Sequence, residues 1–116
     1  MSRSSPQRCT DYLRHILEAI DVIKAYTLGM DVAVFIADRK TCDAVIRNIE
    51  VIGEACNNVT KNHPTFAAEH PLIPWGFAYE MRNALSHGYF NVDKAIVWQT
   101  VQHDLPKLRV QIANLL

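Results

Sequence analysis

Lys40-Thr41-Cys42-Asp43-Ala44-Val45-Ile46-Arg47-Asn48-Ile49-Glu50-Val51-Ile52-Gly53-Glu54-Ala55-Cys56-Asn57-Asn58-Val59 is the stretch that decides the fold. Cys42, Val45, Ile46, Ile49, Ile52, Gly53, Cys56 and Val59 recur at spacings of one, three and four, the stripe of an amphipathic helix. A strand would need alternation of apolar and polar residues, and no window of the chain sustains it. The spacing therefore predicts a helix over about 40–59. Gly53 costs roughly 1 kcal/mol in a helix interior relative to Ala. On the apolar stripe it would let a neighbouring helix approach closely. The run Asn57-Asn58-Val59-Thr60-Lys61-Asn62 is rich in turn-favouring residues and is expected to break the pattern.

Working outward, Leu13, Ile16, Leu17, Ile20 and Ile23 form a second such stripe, predicting a helix from about Cys9 to Leu28. Gly29 then stands where a left-handed C′ residue ends a helix. Met30 to Arg39 holds a short apolar burst, Val32 with Val34-Phe35-Ile36, expected as one or two helical turns packing on the core. His63 to Pro74 is the least regular segment. Pro64 can start a turn that runs through Ala68 and stops at Pro71, and the flanking His63 and His70 are expected to be solvated. Pro74-Trp75 opens a helix carrying Trp75, Phe77, Ala78, Met81 and Leu85 and ending near Gly88. Asn91-Val92-Asp93 caps a last helix whose seam is Val97, Val101, Leu105, Leu108, Ile112 and Leu115. Pro106 interrupts it, and Asp104 is placed to cap a restarted helix after a kink. The expected fold is all-α: an up-and-down helical bundle in a single domain over 1–116, with residues 1–8 a flexible polar N-terminus.

The composition narrows the function classes. Twelve basic and twelve acidic residues cancel, so no global field draws the chain to DNA or to an anionic membrane. A polyanion site would have to be local. No apolar run approaches the roughly 20 residues needed to cross a bilayer, and the polar start has no secretory h-region behind it. Cys9, Cys42 and Cys56 are odd in number and lack CxxC spacing, which fits reduced thiols in the cytoplasm. His63 and His70 have no carboxylate or thiolate to complete a metal set, and no paired Asp/Glu set offers another.

Met81-Arg82-Asn83-Ala84-Leu85-Ser86-His87-Gly88-Tyr89-Phe90 concentrates chemistry-bearing groups in one place. On a helix Asn83 and His87 share a face, as do Arg82 and Ser86, so Asn83 and Ser86 are supporting groups. Arg82 and His87 diverge by about 140°. Two copies of the helix packed together would bring Arg82 of one chain near His87 of the other, a basic cleft on a two-fold axis. The helix C-terminus favours a protonated His87. An arginine beside such a histidine suits phosphodiester cleavage, with Arg82 on a phosphate oxygen and His87 moving a proton. The nucleophile would be a ribose 2′-hydroxyl, hence RNA and not DNA.

The same stretch matches in full the Arg-Asn-x-x-x-His-x-Tyr pattern of the HEPN superfamily, as Arg82-Asn83-Ala84-Leu85-Ser86-His87-Gly88-Tyr89. The chain resembles more closely the HepT toxins, partners of minimal nucleotidyltransferase antitoxins of the MntA type. The likeness includes Tyr12-Leu13-Arg14-His15-Ile16-Leu17-Glu18-Ala19-Ile20, Asp43 to Ala55, Ile73-Pro74-Trp75, and Val97 to Val101 with Asp104-Leu105-Pro106. The resemblance implies a homodimer joined through the motif helix and no cofactor. It implies a metal-independent ribonuclease toxin of a type VII-like toxin–antitoxin system, with Arg82 and His87 as the catalytic pair supported by Asn83. Tyr89 falls on the tyrosine that the antitoxin adenylylates. Gly88 and Glu80 depart from the acidic and small residues common in relatives, which would alter charge beside the cleft. The competing expectation is a non-catalytic helical module that binds nucleotide or the antitoxin.

Overall fold

The computed structural model describes residues 5–76, 79–81, 85 and 93–116. Every regular element among them is helical: α1 (Pro6–Thr27), α2 (Val32–Ala37), α3 (Arg39–Asn62), α4 (Pro64–Glu69), α5 (Lys94–Gln99), a π-helical turn (Thr100–Asp104) and α6 (Leu105–Ala113). Trp75, Gly76, Tyr79, Glu80, Met81 and Leu85 are helical too. The fold is an all-α helical bundle, as the periodicities predict.

The stripes in the sequence become the core. Leu13, Ile16, Ile20 and Ile23 of α1 and Cys42, Val45, Ile46, Ile49, Ile52, Cys56 and Val59 of α3 are all buried. Burying one such side chain contributes about 1.5–3 kcal/mol, so this seam outweighs any surface pair. Tyr12, near the start of α1, meets the ring of His63 at the end of α3, so the two helices run antiparallel. Gly53 is buried on the inner face of α3. Val97, Val101, Leu105, Leu108 and Ile112 bring α5 and α6 onto the same core.

Local chemistry sets the ends. Ser5 Oγ accepts from Arg8 N at 3.2 Å and Pro6 takes the first helical position, so α1 starts ahead of the expected Cys9. Gly29 has φ +79°, the left-handed conformation that suits glycine. Asp31 Oδ1 accepts from Val34 N at 2.8 Å to open α2. Asp38 opens α3, its carboxylate accepting from the N–H of Thr41 at 3.0 Å and the Thr41 hydroxyl at 2.9 Å. Those two bonds hold the Asp38 carboxyl below its ordinary range. In α2 only Phe35 is buried, and Val32, Val34 and Ile36 face outward. The thiol of Cys42 donates to the Phe35 carbonyl at 3.0 Å, fastening α2 to α3.

Two expectations are corrected. The asparagine-rich run does not end α3, which continues through Asn62. Val59 is fully buried and rewards another turn, Thr60 Oγ1 finds the Asn57 carbonyl at 2.9 Å, and Pro64 restricts His63 and imposes the stop. Asp104 does not cap a restarted helix, because its side chain makes no cap hydrogen bond. The chain instead widens into the π turn, where Leu105 N–H reaches back five residues to the Thr100 carbonyl. The wider turn absorbs Pro106, which lacks an N–H and crowds the preceding turn. Residues stay in the right-handed region throughout, so the helix continues without restarting.

Arg109 clamps α6 to α1 by a bidentate pair, Nε to Asp21 Oδ1 at 2.7 Å and Nη2 to Oδ2 at 3.1 Å. These hydrogen bonds hold the Asp21 carboxyl below the usual carboxylate range. A depressed folded-state pKa adds stability above the unfolded value of about 3.9 and loses it as pH falls through the folded value. Asp21→Asn is therefore expected to lower the urea midpoint modestly at pH 7, with the gap to wild type closing as pH falls below about 4. A gap independent of pH would contradict the clamp. Burial raises all three thiols, Cys56 to about 12. Native protein at pH 8 should leave Cys56 unlabelled by iodoacetamide, and urea-unfolded protein should take the label there, as read by peptide mass.

Candidate functional site

The described residues on both sides of the Arg82–Tyr89 stretch are tied to the bundle. At its entry Trp75 is buried, its Nε1–H donating to the His70 carbonyl at 3.2 Å and its N–H to the Ile73 carbonyl at 2.9 Å. Phe66 of α4 lies 6.5 Å from the Trp75 ring. Gln111 of α6 donates to the Leu72 carbonyl at 3.0 Å, tying the preceding loop to the bundle. Further along, Leu85 is buried and Met81 packs half-buried on the core, one helical turn apart on the inward side. Met81 and Pro74 share a void of about 30 Å³ with Ile49, Ile52, Thr100 and Leu108. Beyond the segment, Asp93 Oδ1 accepts from Ala95 N at 2.9 Å and Ile96 N at 3.3 Å, fixing the start of α5.

The sequence-predicted site residues Arg82, Asn83, Ser86, His87 and Tyr89 lie outside the described residues, as does the expected helix end near Gly88. Near them in the chain, Trp75 and Leu85 are buried and Met81 is half-buried on the core.

The two loop histidines are structural, contrary to the expectation that they are solvated. His63 is buried, with its ring edge-on to Tyr12 at 6.1 Å. His70 is half-buried with its ring 4.6 Å from Phe66. The signal for His63 is not local, since its partner Tyr12 lies far back in α1, whereas Phe66 stands only four residues before His70.

A feature that sequence reasoning missed is an open groove of about 400 Å³ between α1 and α3, lined by Tyr12, His15, Arg47, Glu50, Glu54 and Asn58. The only trace of it in sequence is that these polar residues recur one or two turns apart on the two helices. Its charge is mixed, and Arg47 sits 3.8 Å from Glu50. Arg39 and Arg109 likewise face Asp43 and Asp21. A phosphate site needs cations that are not already met by carboxylates, and these three arginines are met.

Comparison with known proteins gives a consistent pattern. The profile of a family described as "Ribonuclease HepT-like" matches residues 16–115. A Thermococcus cleftensis protein named "Probable ribonuclease HepT" is 42% identical over 105 residues, covering 90% of this chain and 93% of that protein. A Methanocaldococcus jannaschii protein named as a gamma-glutamylcyclotransferase and putative RNase is 40% identical over 105 residues, 90% of this chain but 46% of that longer protein. A Caldanaerobacter subterraneus protein named a putative RNase is 33% identical, covering 90% of this chain and 91% of its own length. No solved structure gives a significant match. Among the described residues no helix is long and apolar enough to cross a membrane.

Proposed function

The chain belongs to the HepT-like ribonuclease family, and we propose that it is a metal-independent endoribonuclease toxin acting in the cytoplasm with Arg82 and His87 as its catalytic pair. The observation that carries this reading is the complete Arg82-Asn83-Ala84-Leu85-Ser86-His87-Gly88-Tyr89 string inside the region that the family profile matches. The framework around the string supports it. Trp75, before the string, and Leu85, within it, are buried in the core.

The chemistry follows from the groups available. Arg82 holds a non-bridging phosphate oxygen and stabilises charge as the phosphorus becomes five-coordinate. The ribose 2′-oxygen forms a bond to phosphorus while the bond to the 5′-oxygen breaks. His87 moves the proton, from the 2′-hydroxyl or to the leaving 5′-oxygen. The products are a 2′,3′-cyclic phosphate and a 5′-hydroxyl, and atoms balance without water or metal. Asn83, one turn from His87, orients its ring, and Ser86 neighbours Arg82. Because Arg82 and His87 diverge by about 140° on one helix, the working cleft is composite, built by two copies of the chain about a two-fold axis.

Control falls to Tyr89. An MntA-type nucleotidyltransferase antitoxin transfers AMP from ATP to its phenol oxygen. The oxygen bonds to the α-phosphorus, pyrophosphate leaves, and the phenol proton is released. The added adenylate, bulky and negatively charged, pairs with Arg82 and blocks RNA.

Purified wild-type protein should cleave RNA in the presence of EDTA and leave 2′,3′-cyclic phosphate ends. Arg82→Ala and His87→Ala should each lose about 100-fold or more in cleavage rate, the scale of removing a transition-state donor or a general acid–base. Unchanged residual cleavage in both variants would point to a contaminating nuclease and to a binding module.

A further inference from the structure

A groove of about 360 Å³ lies between α1 and the π turn with the start of α6. Its apolar wall is made by Ile20 and Ile23 of α1, Val101 of the π turn, and Leu105, Pro106 and Val110 of α6. Val110 is 61% exposed, an apolar side chain that the chain's own packing leaves uncovered. The volume falls in the range of small-molecule sites, about 300–1,000 Å³, which are mostly apolar with a few placed polar groups.

Two polar features on this wall call for a ligand of definite chemistry. The first is charge. Lys24 and Arg109 line the groove, and no carboxylate joins them there among the described residues. Arg109 is engaged with Asp21, whose two carboxylate oxygens are both spent on that pair. Lys24 is exposed and forms no ion pair among the described residues. The net charge at this end of the groove is therefore positive.

The second is a carbonyl. In a regular helix the Val101 carbonyl would accept from the N–H of Leu105, four residues on. Here the Leu105 N–H goes to Thr100 instead. The next N–H in line would belong to residue 106, which is proline and has none. The Val101 carbonyl is thus left without a backbone donor in its helix, on a residue only 7% exposed. A buried carbonyl without a partner favours whatever N–H can reach it.

We propose that this groove binds a small organic anion with an apolar body and one N–H donor, the chemistry of an N-acyl amino acid. The acyl chain lies on Ile20, Leu105 and Val110, the carboxylate meets Lys24, and the amide N–H donates to the Val101 carbonyl. The site is separate from the chemistry assigned to Arg82 and His87.

The test titrates the full chain with N-octanoylglycine and follows the methyl groups of Ile20, Ile23, Val101, Leu105 and Val110 by NMR. Their shifts should saturate with a Kd of about 1 mM or below, the scale for a ligand of this size. Lys24→Glu and Val110→Glu, both at exposed positions, should each weaken binding about tenfold. Lys61→Glu, at the far end of α3, should bind as wild type. N-octanoylsarcosine, which lacks the N–H, and the methyl ester of N-octanoylglycine, which lacks the charge, should each bind about tenfold more weakly than the parent acid. Shifts that do not saturate, or that centre on other methyl groups, overturn the site. Wild-type affinity in both groove variants overturns it too, as does an equal loss in Lys61→Glu, which would mean diffuse charge attraction. Equal binding of the sarcosine compound overturns the part given to the Val101 carbonyl.

Discussion

The antiparallel seam between α1 and α3 is the contact on which the other elements depend. It is built from isoleucine, valine, leucine and small thiols at helical spacing, and nearly every member is buried below one-tenth exposure. Each contributes on the order of 1.5–3 kcal/mol by leaving water. The remaining elements add to this pair. α2 is too short to stand alone and is fastened by Phe35 and Cys42. α5, the π turn and α6 lay one further apolar stripe along the same core. Polar groups drawn into it are mostly satisfied locally, as with the hydroxyls of Thr27 and Thr100, which donate to carbonyls one turn back.

From that core two devices fix the described residues on either side of the Arg82–Tyr89 stretch. Upstream, the Trp75 indole is locked by the His70 carbonyl and by Phe66. Downstream, Asp93 caps α5 and sets where the chain re-enters the bundle. The π turn matters here because it lets Pro106 sit in a continuous helix. Thr100, Leu105 and Leu108 then remain facing the void beside Met81. A break at Pro106 would carry Leu108 and Ile112 away from the core.

Much of the fold was legible in the sequence, because long amphipathic stripes carry their period openly. The stripes at Leu13–Ile23, Cys42–Val59 and Val97–Ile112 each became a buried face, and Gly29 took the left-handed turn expected of it. Errors fell where a local signal competed with a distant one. Asn57 to Asn62 favours turns locally, yet burial of Val59 carries α3 onward until Pro64 stops it. Asp104 looks like a cap, yet a widened turn accommodates Pro106 more simply. His63 looks like a loop histidine, yet Tyr12 from the far end of the partner helix covers it. The candidate site was legible as a string of residue types, and helical geometry added that Arg82 and His87 diverge. The α1–α3 groove was not legible, since it depends on which helices become neighbours.

The central claim is that RNA cleavage belongs to two chains, Arg82 from one and His87 from the other. It is tested most directly by mixing inactive Arg82→Ala and His87→Ala subunits, refolding them together and measuring RNA cleavage. A random mixture makes half of the dimers mixed, each with one intact composite site, so roughly a quarter of the wild-type rate should return. A mixture no more active than either variant alone, beside active wild type, would contradict the shared cleft.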